Sequence, residues 1–242
     1  MTSPHLNIPG AEPIRLTALA GGTFTMGSSN DLYGEAPAHC VVVAPFKLGV
    51  TPVTRGQWRA VMGADPSCLP GGDQHPVDSI AWDDAAVFCD RLGGVRLPTE
   101  AEWEYACRAG TASDFFFDDG GPYLDETDIP LSVARKLKAY AWFADNSGGG
   151  THPVGLKQSN PFGLHDMIGQ LWEWCADPWH RDYDGAPETS ARWSDGIESQ
   201  PRRVLRGGAW DMNAFRCRSS YRSHDHRSQT TDRFGFRVAA DP

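Results

Sequence analysis

The apolar positions of this chain fall in short runs of differing spacing, and each spacing names an element. Leu16 to Met26 is apolar and broken only at Gly21-Gly22, while His39 to Val50 alternates and then runs apolar through Val41, Val42, Val43, Phe46, Leu48 and Val50. Both stretches predict strands. Thr54-Arg-Gly-Gln57 has the spacing of a capping box, in which a hydroxyl and a side chain three residues on satisfy each other's free backbone N–H groups. Trp58, Val61 and Met62 then share one helical face, and Gly63 stops the helix. A second short helix is predicted over Asp83 to Leu92, ended by Gly93-Gly94. Thr99-Glu-Ala-Glu102 is another capping box. It opens a helix that turns Trp103, Ala106 and Cys107 inward as far as Gly110, with Glu100, Glu102 and Glu104 favoured by its positive end. From Thr111 to Arg203 turn residues dominate. Residues 1–20 read as a leader, and 21–242 as a single α+β domain, loop-rich with little regular secondary structure.

Composition sharpens this picture. Of 242 residues, 40% are hydrophobic and 11% aromatic, enough for a sizeable core packed through rings more than aliphatic layers. A net charge of −9 argues against nucleic acid or an anionic membrane as partner. The charge is uneven, because residues 201–242 hold nine arginines against four acids, a net of +5 that leaves −14 on the rest. Such a tail can meet an anionic ligand or peptide, or pair with the body's own carboxylates. The N-terminus lacks a basic n-region and an apolar h-region, and no apolar run approaches a bilayer span. A cytoplasmic location is therefore expected, where the six cysteines would stay reduced; no Cys-x-x-Cys pair suggests a zinc ribbon.

Three stretches carry candidate chemistry. In Phe162-Gly-Leu-His-Asp-Met-Ile-Gly-Gln-Leu-Trp-Glu-Trp174, the carboxylates of Asp166 and Glu173 flank a glycine, an arrangement that can gather oxygens for a hard cation or simply cap turns. Cys217 lies between Arg216 and Arg218, which would lower its pKa if all three were close and partly exposed. His224-Asp225-His226 would put both imidazoles on one face of a strand, a pattern compatible with copper, iron or zinc, or with a solvated loop. No Ser-His-Asp signature, phosphate-cradling glycine loop or His-Glu-x-x-His is present.

Four motifs in order, Arg96-Leu-Pro-Thr-Glu-Ala-Glu-Trp-Glu-Tyr105, Gly169-Gln-Leu-Trp-Glu-Trp174, Arg206-Gly-Gly208 and Phe234-Gly-Phe-Arg237, resemble the formylglycine-generating enzymes, or sulfatase-modifying factors. The resemblance implies a C-type-lectin-like fold. It implies a calcium site formed by Asp166, the carbonyls of Gly169 and Leu171, and Glu173, and it matches Trp172 to an active-site tryptophan. The family's copper(I) ion is held by cysteines three and eight residues after the serine of Arg-Gly-Gly-Ser. Here the serine is Ala209, the first cysteine is Met212, and only the second remains, as Cys217. One expectation is thus a metal- and oxygen-dependent oxidase of the family, using copper or iron on a peptide or small molecule through Cys217 and Trp172, though not a standard formylglycine generator. The alternative is a non-catalytic binding protein, such as a diversity-generating-retroelement variable protein or a sensing module. Its C-terminal surface of Trp210, Asp211, Asn213, Arg216, Arg218, Tyr221, His224 and His226 would take a peptide, protein or small molecule.

Overall fold

A computed structural model describes residues 4–29, 34–118, 120–194 and 200–242; Met1 to Ser3 of the leader lie outside the described residues. One sheet joins the two ends of the chain: β1 (His5–Leu6), β2 (Ile14–Leu19), β5 (Phe46–Gly49) and β10 (Ala239–Ala240) lie side by side in that order, all antiparallel. Ile14, Leu16 and Leu19 of β2 are buried while Arg15 is exposed. Residues 14–19, expected to belong to the leader, are therefore a core strand. The strand expected from Leu16 onward thus begins two residues earlier, at Ile14. β3 (Gly22–Met26) and β4 (His39–Val43) form a separate antiparallel pair.

The helices begin where side-chain caps allow. α1 (Arg55–Met62) and α3 (Glu100–Arg108) both start with complete capping boxes: Thr54 Oγ1 accepts from Gln57 N at 3.3 Å, and Thr99 Oγ1 from Glu102 N at 3.2 Å, with both return bonds at 2.9 Å. α2 (Trp82–Leu92) ends at Gly93. α3 stops at Arg108, two residues before Gly110, since Ala109 already takes the left-handed φ of 47°. α4 (Leu131–Leu137) lies in the stretch read as turns, and only Val133 and Leu137 anchor it.

The third sheet carries the C-terminal motifs in the order β8 (Arg222–His226), β7 (Arg202–Arg206), β6 (Trp172–Pro178) and β9 (Phe234–Gly235), with β6 and β9 parallel. Its neighbour is an aromatic core in which Trp58 and Phe88 stack at 5.5 Å and Phe236 meets both edge-on. Among the described residues no helix is long and apolar enough to cross a membrane.

Candidate functional site

α3 is acidic for a reason beyond its dipole. Glu102 does cap the helix and holds Arg96 at 2.7 and 2.8 Å, but Glu100 and Glu104 are buried and receive arginines from the C-terminal tail. Glu104 accepts from Arg206, from Arg108 at 2.8 Å and from the Gly27 amide at 2.8 Å. Glu100 takes Arg222 in two bonds, at 2.7 and 3.0 Å, and the Tyr183 hydroxyl at 3.0 Å. These arginines hold the Glu100 carboxyl below its ordinary value although burial opposes them. Arg206 also donates to the carbonyls of Ser219, Ser220 and Tyr221 at 2.8–2.9 Å, so it fixes the tail segment that runs past it. Arg218 is wholly buried and held by Glu35 at 2.9 and 2.5 Å. The body's own carboxylates thus absorb much of the tail's charge.

The copper-pair positions sit on the loop that follows β7. Gly208 has a φ of 80°, and a Cβ there would stand 2.9 Å from Arg216 O and 3.1 Å from the Cys217 sulfur, so only glycine lets the two segments approach. Cys217 ends a 3-10 turn, Ala214–Cys217, with no exposed surface. Its thiol donates to Asn213 O at 3.6 Å, and burial pushes it up to about 12. The condition set for an activated thiol is not met: Cys217 is buried, Arg216 is exposed and Arg218 pairs with Glu35. Met212 is half-buried, its sulfur 3.9 Å from Arg216 Nη1. Trp172 is 4% exposed, lies against Tyr221 with ring centres 5.9 Å apart, and is a core side chain. A neutral thioether and a single thiol do not make a two-thiolate copper(I) centre.

The stretch from Asp166 to Glu173 is a tight loop in which Asp166, Gly169 and Gln170 all have positive φ. A Cβ on Gly169 would fall 2.3 Å from Trp142 O, which fixes glycine there. Gln170 clamps His152, accepting its N–H at 3.1 Å and donating to its carbonyl at 2.7 Å. Asp166 is 2% exposed, and Oδ2 accepts from Gly155 N at 2.7 Å. Oδ1 is buried with no donor among the described residues, and burial raises the carboxyl above its ordinary value. A hard cation would satisfy such an oxygen. Glu173, by contrast, already accepts from Arg237 at 2.7 and 2.8 Å and from Trp103 Nε1 at 2.8 Å. It would have to share an oxygen between guanidinium and cation. Arg237, which also donates to the His165 and Asp166 carbonyls, is the residue that sequence reasoning missed; it stood in the quoted Gly-Phe-Arg, with nothing local naming its partner.

Of the expected recognition residues, Trp210, Asp211 and Asn213 are half-buried and Arg216 is exposed on one loop. Trp210 Nε1 donates to Asp232 O at 3.2 Å, Asp211 meets Arg233 at 2.6 Å, and Asn213 caps the Cys217 turn while donating to Glu126. Arg218 and Tyr221 are corrected to core positions at 0% and 4% exposure. His224 and His226 are placed apart from that loop on β8, in a register one turn of the pleat apart: His224 packs on Trp179 at 4.3 Å, and His226 binds Ser228 at 2.7 Å. Among the described residues no three His, Cys, Asp or Glu side chains gather as a metal site.

The sequence profile of the sulfatase-modifying factor enzyme 1-like domain family matches residues 11–242. The chain is 29% identical over 299 residues to the formylglycine-generating enzyme of Mycobacterium tuberculosis, covering 94% of this chain and 98% of that one. It is 34% identical over 212 residues to the Bos taurus enzyme of that name, covering 83% of this chain and 52% of the bovine protein, so it spans about half the bovine length. Among solved structures, Treponema denticola variable protein 1 matches with a TM-score of 0.82 at 25% identity over 100% of both chains. PvdO from Pseudomonas aeruginosa matches with 0.80 at 29% over 95% of each. With this coverage and the Arg-Gly-Gly and Gly-Phe-Arg arginines seated in one buried frame, the chain belongs to the formylglycine-generating enzyme family and has its C-type-lectin-like fold.

Proposed function

We propose that this chain is a ligand-binding member of the family, recognising a peptide, protein or small molecule through the loop of Trp210, Asp211, Asn213 and Arg216. The observation that carries this reading is the donor set at the copper-pair positions, a thioether at Met212 beside the single thiol of Cys217. Formylglycine generation, the activity in the names of the sequence relatives, uses two soft thiolates on copper in this family, and oxidation by that route finds no support here. An oxygen-dependent reaction would need a different metal centre, and His224 with His226 supplies two ligands at most.

The likeness to a variable protein across the whole chain supports the binding reading. So does the loop itself: an indole, an amide and a guanidinium offer both stacking and hydrogen bonds on a fixed base. Calcium fits as a structural ion held by Asp166, the carbonyls of Gly169 and Leu171, and a shared Glu173 oxygen, supplying charge and rigidity below the loop. The six free cysteines suit a reducing cytoplasm.

Selection of a displayed random-peptide library on the intact protein tests this. Peptides that bind the native chain and are lost on both Trp210→Ala and Arg216→Ala support the reading. Peptides indifferent to both substitutions, or none recovered, contradict it.

A further inference from the structure

We propose that the groove between α2 and β6 is a second binding site, for a neutral and largely apolar small molecule. It is a cavity of about 450 Å3, within the usual range for small-ligand sites. Trp82, Ala86 and Cys89 come from one face of α2 at helical spacing, and Val95, Leu97 and Ala176 form the opposite wall. None of the residues of the Trp210 loop lines it, so it is a different site from the one proposed above.

The ligand class follows from what the walls do and do not offer. The polar groups at the floor are already satisfied: Trp82 Nε1 donates to Cys175 O at 2.8 Å, Thr99 Oγ1 to Ser190 O at 3.0 Å, and Ser190 Oγ accepts from Ala44 N at 3.1 Å. The Cys89 thiol is 3% exposed and keeps its proton, since burial raises it to about 12, so it is a small apolar surface. At the rim, Arg96 is neutralised by Glu102 at 2.7 Å and Asp241 at 3.2 Å, and Arg192 Nε donates to Ala176 O at 2.9 Å. Asp90 is exposed. An ionic ligand would have to break Arg96 from its carboxylates, whereas an apolar one only displaces water. The wall is also rigid. The Trp82 ring is held by the guanidinium groups of Arg203 at 4.7 Å and Arg227 at 4.8 Å, so little ordering is required on binding.

The test is a fluorescence titration of the intact protein with N-phenyl-1-naphthylamine, a neutral aromatic whose emission rises and shifts to the blue in apolar surroundings. One saturable site is expected. Ala86→Trp fills the groove and Val95→Asp places a charge in its wall, and each should weaken binding by roughly tenfold or more. Trp210→Ala should leave it unchanged, which separates this site from the C-terminal loop whatever the peptide selection finds. Should Ala86→Trp fail to fold, Val95→Asp decides alone. No saturable rise with the native protein, or unchanged affinity in the folded variants, would overturn the proposal.

Discussion

Arg216 and Arg218 stand two residues apart in one basic tail and have opposite fates. Arg218 has no exposed surface and gives its guanidinium to Glu35 in two bonds, while Arg216 reaches into solvent over the Met212 sulfur. The same division runs through the whole tail. Arg206, Arg222 and Arg237 are internal anchors on Glu104, Glu100 and Glu173, whereas the loop from Trp210 to Arg216 is displayed between them. Burying a guanidinium is costly, and it succeeds here because each one is paired with a carboxylate and donates to backbone carbonyls as well, although Arg206 Nε finds no acceptor among the described residues. The tail's positive charge is therefore architecture first. What it frames is a short, polar, adaptable loop.

The sharpest way to break this comparison is to remove an anchor. Glu104→Ala removes the carboxylate that pairs with Arg108 and the nearer of the two that face Arg206, and urea denaturation should show a loss of about 3–5 kcal/mol. A loss no larger than that of an exposed substitution would mean the frame is not held this way.

Acidity probes the same region. Asp177 accepts the Glu100 and Trp193 amides at 2.7 and 2.8 Å, and burial, helped by Glu100, raises its carboxyl from 3.8 to about 7. The folded state then keeps a proton that the unfolded chain releases. This group's contribution is greatest below about pH 4, declines as pH rises through about 7 and is constant above, with a limit of about 4 kcal/mol. Asp177→Asn should flatten stability between about pH 5 and about pH 8, measured by urea denaturation at both. An unchanged slope would sink the assignment.

Calcium at about a hundred times its dissociation constant should raise unfolding stability by about 2.7 kcal/mol, and Asp166→Ala should abolish that gain. Equal response in native and variant protein would place any calcium elsewhere. The smallest effect is at the loop's exposed side chain, where Arg216→Ala should change stability by no more than about 0.5 kcal/mol.

The capping boxes at Thr54 and Thr99 were legible because both partners lie within four residues. The arginine anchors were not, since Arg218 and Glu35 are 183 residues apart and Arg222 and Glu100 are 122 apart, and only the fold brings them together. The motif arginines could be quoted without their roles being visible. α4 escaped for a related reason: it has few apolar anchors, and distant segments complete its packing. At the candidate site, the missing cysteine at Met212 could be read directly, but the burial of Cys217 depends on the close approach of Gly208, which no spacing reveals.

The most direct test of the central claim is copper(I) titration with oxygen consumption, using a cysteine-containing peptide, on the native protein and on Met212→Cys. The account predicts no stoichiometric copper and no oxygen uptake by the native chain, with tight copper binding gained when the second thiol is restored. Native protein that takes up one copper(I), loses it on Cys217→Ala and consumes oxygen with the peptide would contradict it.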